Sequence, residues 1–473
     1  MNPVFKDLLR KGLIYGLGSS LNGLAGFFLI PFLLHRLSAE EYGRFALAEA
    51  WLNILLVLAS MGLNTSMITQ YFNIQEERRP VLFRSALAAV GFSSLGIVLV
   101  LSLAFGALAQ FGIQPIPLRL WGWVALIIPL ETLWMQFASL FRAEETPLRL
   151  VSLSMLQVVI SCGSTVLLIV YAGRREESLL MARAGADAVI LAAVCLRERR
   201  LFGALDWSLA RRAVEVGLPL VPATLSTVWL VMAPRVLLGF FSTDFEVGVY
   251  AMSARIAGII SLLLVQPLGI MWIPAAFRIK QRPDAKRIFD RALSAYVLIA
   301  GSLVALIGLL APLASDWFAT SRFPVPPDIV ALVALALASS GIIYLVTLGP
   351  FFEQKTALSL PPYLIVSALS FVMGVPLISM WGALGAAVSA ILSYSILWIL
   401  AYRVSRRLYP ISYSWNTLLK IAGLLGGAYF AAQAVDRLAG SRNFDLAVFA
   451  CIMAGSYLFL RLFHGNDAPA SDA

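Results

Sequence analysis

Fourteen long apolar runs, at about 13–34, 44–68, 84–110, 119–141, 148–171, 179–197, 217–241, 247–272, 289–313, 328–352, 360–380, 382–403, 417–435 and 444–463, decide which solvent this 473-residue chain folds in. A helix needs about 20 apolar residues to cross the hydrocarbon core of a bilayer, and each run is close to that length. The runs at 360–380 and 382–403 are divided only by a short Trp381-Gly382 turn. Only 13% of the residues are charged and 60% are hydrophobic; soluble domains run near 25% charged, so the chain could not cover a water-facing surface. This excludes a soluble enzyme, a nucleic-acid binder and a disordered scaffold. The connections are too short to house a soluble domain, and an outer-membrane barrel would show short alternating strands instead of these runs. The expected fold is all-α and integral to the membrane.

The excess of Lys and Arg follows from this. Of 36 basic residues, 25 fall in the loops on the side of the two termini, 8 on the other side and three inside spans. The positive-inside rule then puts both termini in the cytoplasm, and the net charge of +10 needs no nucleic acid. Cys162, Cys195 and Cys451 lie inside apolar runs as small core residues. Two histidines, His35 and His464, cannot build a His-rich metal site, so no metal or cofactor is expected. The first run is long enough to span and lacks a clear cleavage site after it, which reads as a first span and not a signal peptide.

The chain repeats itself. A shift of 205 residues sets Gly12-Leu13 on Gly217-Leu218, Glu41 on Glu246, Gly43-Arg44-Phe45-Ala46-Leu47 on Gly248-Val249-Tyr250-Ala251-Met252, and Phe72 on Phe277, without a gap. Each repeat holds six spans, an even number, so both enter the membrane the same way and their pseudo-two-fold axis lies along the membrane normal. The expected organisation is a six-helix bundle over 1–203, a second over 204–410, and two further helices with a tail over 411–473. Two like bundles around a cleft form a transporter architecture.

A charge at mid-bilayer costs roughly 2.5–3.5 kcal/mol on insertion scales, so the few inside the spans ask for a reason. Arg235 lies late in the seventh span and Arg255 in the first half of the eighth; Glu49 is at matching depth in the second, with Asn53 four residues on and on the same helix face. Glu131 is near the middle of the fourth. Arg183 and Asp187, spaced i,i+4 in the sixth, read as a self-satisfied structural ion pair. Glu49 and Arg255 either bridge the two bundles or line the cleft; Arg235, six residues from its span's end, either snorkels to the interface or lines the same cleft. In the cleft reading Arg235, Arg255, Glu49, Asn53 and Glu131 bind substrate, the arginines because a planar guanidinium forks onto phosphate and keeps its charge when dehydrated. Asn22, Gln136, Gln157 and Gln266 are further lining candidates, though lone amides also serve as helix–helix glue.

No Walker-A loop, HExxH, CxxC or Gly-x-Ser-x-Gly is present. Prolines at 31, 129, 219, 222, 234, 267 and 274 interrupt the spans and would permit hinging between inward-open and outward-open shapes, though proline is frequent in membrane helices anyway.

Leu37-Ser-Ala-Glu-Glu-Tyr-Gly-Arg-Phe-Ala46 after a first span containing Pro31, Arg235-Val-Leu-Leu-Gly239 followed by Val247-Gly-Val-Tyr-Ala251, Pro376 followed by Trp381-Gly-Ala-Leu-Gly-Ala-Ala387, and Tyr409-Pro-Ile-Ser-Tyr-Ser-Trp415 occur in this order. Together they resemble bacterial polysaccharide flippases of the Wzx type, in the multidrug/oligosaccharidyl-lipid/polysaccharide exporter superfamily. The resemblance implies a non-enzymatic flippase of the bacterial inner membrane. Its substrate would be an undecaprenyl-diphosphate-linked oligosaccharide, with membrane lipid around it and a polysaccharide polymerase and chain-length regulator as possible partners. The chain departs from the family at Pro234, where members often carry an Asp beside the arginine, so Arg235 lacks its usual neighbour. Two alternatives remain. A cation-coupled multidrug exporter of the same superfamily would want a carboxylate-rich cleft, and a membrane polymerase or ligase would want a large catalytic outer loop, whereas the longest outer loop spans about 314–327. The lipid II flippase branch shares the architecture but its loop motifs look less similar.

Overall fold

The computed structural model describes residues 27–111, 114–173, 175–198, 203–318 and 323–439. The described chain is helical: α1 (Ile30–Arg36), α2 (Ala39–Ser60), α3 (Leu63–Tyr71), α4 (Arg79–Gln110), α5 (Leu118–Ala143), α6 (Pro147–Tyr171), α7 (Glu177–Arg197), α8 (Trp207–Gly217), α9 (Val221–Phe241), α10 (Asp244–Ala257), α11 (Gln266–Lys280), α12 (Ala285–Phe318), α13 (Pro327–Val346), α14 (Leu348–Phe352), α15 (Leu360–Leu408) and α16 (Trp415–Ala439). Ten helices among the described residues are long and apolar enough to cross a membrane, and α15 alone contains two expected spans. The chain is thus a multi-pass membrane protein. The last expected span, 444–463, most of the first, and Asn22, Cys451 and His464 lie outside the described residues.

The exposed residues confirm which solvent the helices face. Phe92, Leu95, Leu99 and Leu103 form one exposed stripe on α4, and Leu148, Leu156, Val159 and Leu167 another on α6. The spacings, three and four residues on α4 and three and eight on α6, place each set on one side of its helix; in water such stripes would aggregate, in lipid they are the outer wall.

Two elements differ from expectation. The second span ends early, at Met61 and Gly62, both with left-handed backbone (φ 47° and 69°), and a separate helix, α3, begins after them. Gly62 is required there because a Cβ would lie 2.2 Å from the Gly217 carbonyl oxygen. The seventh span is preceded by α8, within the stretch read as a loop. Asp206 caps α8 by accepting from the Ser208 amide at 2.9 Å, and the Ser208 hydroxyl bond holds the Asp206 carboxyl below the usual carboxylate range. Arg211, Arg212 and Glu215 are exposed on one side of α8 while Leu209, Ala210 and Ala213 are buried on the other, against α3 and α4. A 3₁₀ turn at Leu218–Leu220, carrying Pro219, joins it to α9.

The chain forms two compact units. The first comprises Met1–Arg255, Phe318–Pro324 and Leu360–Ser393; the second comprises Ile256–Trp317, Val325–Ser359 and Tyr394–Ala473. In the first, α7 packs on α5 and α6, and α2 on α5 and α9, around Phe83, Phe137, Phe141 and Trp134. In the second, Phe289, Tyr296 and Phe352 form the core together with Ile411 and Tyr413. The Tyr409–Trp415 motif is docked there by hydrogen bonds: the Tyr413 hydroxyl donates to the Leu345 carbonyl at 2.8 Å, and Ser414 binds Asp290 through its amide and hydroxyl.

The repeat reappears as a contact inside the first unit. A Cβ on Gly43 would stand 1.8 Å from the Asp244 carbonyl oxygen, and one on Gly248 would stand 1.9 Å from that of Ala39. Asp244 is Ala39 displaced by 205 residues and Gly248 is Gly43 displaced by the same, so α2 and α10 cross through reciprocal contacts, as elements related by a two-fold do. Glu41 and Glu246, also repeat mates, both cap helix starts. Glu41 accepts from the Ser38 amide at 2.9 Å. Glu246 accepts from the Ala383 amide at 2.7 Å, where Gly382 (φ 54°) breaks α15 at the expected Trp381-Gly382 turn.

A charged cluster inside the first unit

The three arginines embedded in the spans, Arg183 on α7, Arg235 on α9 and Arg255 on α10, belong to the first unit, as do the embedded carboxylates Glu49 on α2, Glu131 on α5 and Asp187 on α7. The structure gathers them and corrects how they were expected to pair.

Arg235 neither snorkels away nor stands alone: its Nη1 lies 3.1 Å from Glu49 Oε2. With the usual neighbouring Asp replaced by Pro234, its carboxylate comes from another helix, because α2 lies along α9. Glu49 therefore bridges to Arg235 and not to Arg255. The Arg255 Nη1 donates to the Tyr42 hydroxyl at 3.0 Å. Among the described residues no carboxylate lies within ion-pair distance of Arg255; Glu49 acts on it only from further away. Asn53 turns its amide to the Glu49 backbone carbonyl at 2.7 Å and does not touch the carboxylate.

The expected pair within α7 is not made. Arg183 reaches across to Glu131, with Nη2 2.7 Å from each carboxylate oxygen, and Asp187 instead accepts from Gln157 Nε2 on α6 at 2.5 Å. Spacing of i,i+4 puts Arg183 and Asp187 on one face, but α5 and α6 both pack on that face and offer better-directed partners. Glu131 is thus in the cluster as an ion-pair partner. Gln136 is buried, and neither end of its amide has a hydrogen-bond partner among the described residues. Gln266 is exposed at the start of α11. The described residues contain no group of three or more His, Cys, Asp or Glu able to hold a metal.

Three cations face three carboxylates, but their commitments differ. Two arginines are neutralised in pairs, and Arg255 spends one of its five N–H donors on a neutral hydroxyl, with no carboxylate partner among the described residues. The pairs are not sealed: Glu49 retains 27% and Arg235 15% of side-chain exposure, so the cluster borders accessible space. The residue missed in the sequence is Tyr42. It lies two helical turns before Glu49, on the same face of α2, is 2% exposed, and is held between Phe45 and Phe323, each 5.7 Å away. The i,i+7 spacing was a usable signal.

Loss of the Glu131 carboxylate strands a half-buried guanidinium, whereas Asp187→Asn keeps an acceptor for Gln157. Glu131→Gln is therefore expected to lower the melting temperature of the purified protein well beyond Asp187→Asn, toward the fully buried limit of about 3–5 kcal/mol. Equal melting shifts in a detergent thermal assay would refute this ranking.

A family model described as polysaccharide biosynthesis protein matches residues 8–280. The fold is similar to that of the lipid II flippase MurJ in an inward closed conformation, at 12% identity over 96% of this chain and 99% of that one, TM-score 0.75. It is also similar to a mutant form of the Vibrio cholerae MATE transporter VcmN, at 20% identity over 88% and 98%, TM-score 0.55. A MOP superfamily transporter from Pyrococcus furiosus aligns at 14% identity over 85% and 95%, TM-score 0.51. At these identities the likeness is one of fold. No curated protein sequence matches the chain significantly.

Proposed function

The chain belongs to the family of polysaccharide biosynthesis proteins, and from that premise we propose that it is a flippase carrying a polyprenyl-diphosphate-linked oligosaccharide across the bacterial cytoplasmic membrane. The observation that carries this reading is Arg255, an embedded guanidinium without a carboxylate partner among the described residues, beside the partly exposed Glu49–Arg235 pair. The obstacle to flipping is dehydration of about two negative charges on the diphosphate, and a preorganised fork of N–H donors offsets it. Arg235, Glu49, Glu131 and Asn53 form the surrounding wall, while the polyprenyl tail stays in lipid. With the interior negative, the membrane potential drives an anion outward; at about 2.3 kcal/mol per charge per 100 mV it supplies roughly 4–5 kcal/mol for a dianion crossing most of the field. The same reading takes 1–203 and 204–410 as the two moving lobes, with 411–473 as an addition, both termini in the cytoplasm, and a polymerase and chain-length regulator receiving the product.

The equal number of carboxylates in the cluster favours one competing reading, a cation-coupled exporter of cationic drugs. Extraction of lipids from a deletion strain separates the two. Complete undecaprenyl-linked repeat units accumulate and surface polymer is lost if the flippase reading holds. Normal polysaccharide with new dye sensitivity replaces it with the exporter. Single repeat units reaching the surface unpolymerised would point to a polymerase.

A further inference from the structure

The second unit carries its positive charge differently from the first. On the terminus side of the span count, the first unit pairs Arg78 with Asp206 at 3.0 Å, Arg79 with Glu76 at 2.8 Å, Arg211 with Glu215 at 2.9 Å, and Arg149 with Glu198. On the same side of the second unit, Arg282 has Asp284 at 2.9 Å and Lys280 has Glu353 at 3.7 Å. Arg287 and Arg291 of α12, and Arg403 and Arg407 of α15, are exposed. Among the described residues no carboxylate lies within ion-pair distance of any of these four. The repeat does not require them: 205 residues earlier, buried Leu82, buried Ala86 and acidic Glu198 stand where Arg287, Arg291 and Arg403 do.

Each arginine pair ends an exposed stripe. On α12, Arg287 and Arg291 are followed at four-residue steps by Ala295 and Ile299; on α15, Leu392 and Ile399 lead to Arg403 and Arg407. These spacings keep each set on one side of its helix, so the side that meets lipid along the span finishes in two guanidiniums. The two ends adjoin: Phe289 of α12 is 6.4 Å from Tyr409, just beyond Arg407, and Asp290 accepts from the amide and the hydroxyl of Ser414, at 2.7 Å each. Aromatic rings mark the depth. Trp415 stacks on Trp398 at 5.8 Å, meets Tyr402 at 5.5 Å and stays 39% exposed, and Trp and Tyr gather where hydrocarbon gives way to headgroups.

We propose that the adjoining ends of α12 and α15 form a docking surface for anionic phospholipid, with the headgroup phosphate on Arg287, Arg291, Arg403 and Arg407 and the acyl chains along the two stripes. The positive-inside rule accounts for the side on which these arginines lie. It does not account for their lack of carboxylates, since the first unit obeys the same rule with paired ones. A guanidinium at headgroup depth finds its countercharge on phosphate, which takes two parallel N–H bonds from the planar fork. Clusters of four or more basic residues at the mouth of a span hold anionic lipid in this way. The apolar stripes favour a lipid over an acidic protein, which would make no use of them. The occupant need not be the transported lipid, so the surface stands or falls apart from the flippase reading.

Native mass spectrometry of the full-length protein in detergent, titrated with phosphatidylglycerol or with phosphatidylethanolamine, tests the surface. Phosphatidylglycerol should bind about tenfold or more tightly than the zwitterionic lipid. Arg287→Gln with Arg291→Gln, and Arg403→Gln with Arg407→Gln, should each weaken phosphatidylglycerol binding by about tenfold or more, the loss expected for two basic residues at an anionic surface. Neither double substitution should change phosphatidylethanolamine binding, and Arg211→Gln in the first unit should change neither lipid. Without added lipid both double variants should melt as the unsubstituted protein does, since no ion pair is broken. Phosphatidylglycerol should raise the melting temperature of the unsubstituted protein more than theirs. Equal affinity for the two lipids, or phosphatidylglycerol binding that survives both double substitutions, overturns the lipid site and leaves the face to an acidic protein. If undecaprenyl diphosphate binds more than tenfold more tightly than phosphatidylglycerol and loses that advantage in the double variants, the face receives polyprenyl diphosphate and the phospholipid assignment falls.

Discussion

Arg255→Ala is expected to abolish surface-polysaccharide export while the protein still inserts in the membrane at normal abundance. The two halves of this expectation have separate physical grounds. Insertion survives because Arg255 has no carboxylate partner among the described residues; removing it strands no buried charge and takes away a group that is itself costly to insert. Tyr42 loses one bond and keeps its ring contacts with Phe45 and Phe323. Export fails because a diphosphate leaving water is deprived of its best compensating donors. Hydrogen bonds to charged groups are worth about 1.5–3 kcal/mol each, so removing a bidentate pair of them from the crossing state slows transport by roughly a hundredfold or more. Arg255→Lys should fall between the two, because an ammonium keeps the charge but loses the fork. Quantitation of undecaprenyl-linked glycan and surface polymer in complemented deletion strains checks the series; wild-type export by the alanine variant would remove Arg255 from the site.

The helices were legible in the sequence because lipid leaves little choice: a run of about 20 apolar residues has to satisfy its backbone internally. The 205-residue shift was legible for the same reason that it matters, since Gly43 and Gly248 are where two backbones touch. What escaped depends on tertiary contact. Nothing local marks Met61-Gly62 as a break; the cause is the Gly217 carbonyl, 155 residues away. The amphipathic α8 lacked the length and apolarity of a span and so read as loop. The embedded charges were found individually, but their pairing was not, because spacing along a helix predicts only partners on that helix. Arg183 chose Glu131 over Asp187, and Arg255 chose a tyrosine hydroxyl. Pro234 shows the limit most clearly. The local sequence says that Arg235 has lost its neighbouring acid, and the fold returns one from α2.

That replacement makes Glu49 and Arg235 the second pair whose loss should have a large effect, and a charge swap separates its structural role from its transport role. Glu49→Gln and Arg235→Gln should each lower the melting temperature, since each leaves the other group as an unpaired charge inside a span. The fully buried limit is about 3–5 kcal/mol, and the 27% exposure of Glu49 brings the cost below it. Glu49→Arg combined with Arg235→Glu restores opposite charges at the 3.1 Å contact and should recover most of that stability. Export should be abolished in the swapped protein, because the cation now projects from α2 and no longer from α9, which changes the charged wall that the proposed anion meets. Thermal melting gives the first readout and lipid-linked glycan accumulation the second. Recovery of export together with stability would mean that the pair only fastens α2 to α9, and the anion would then be read by Arg255 alone.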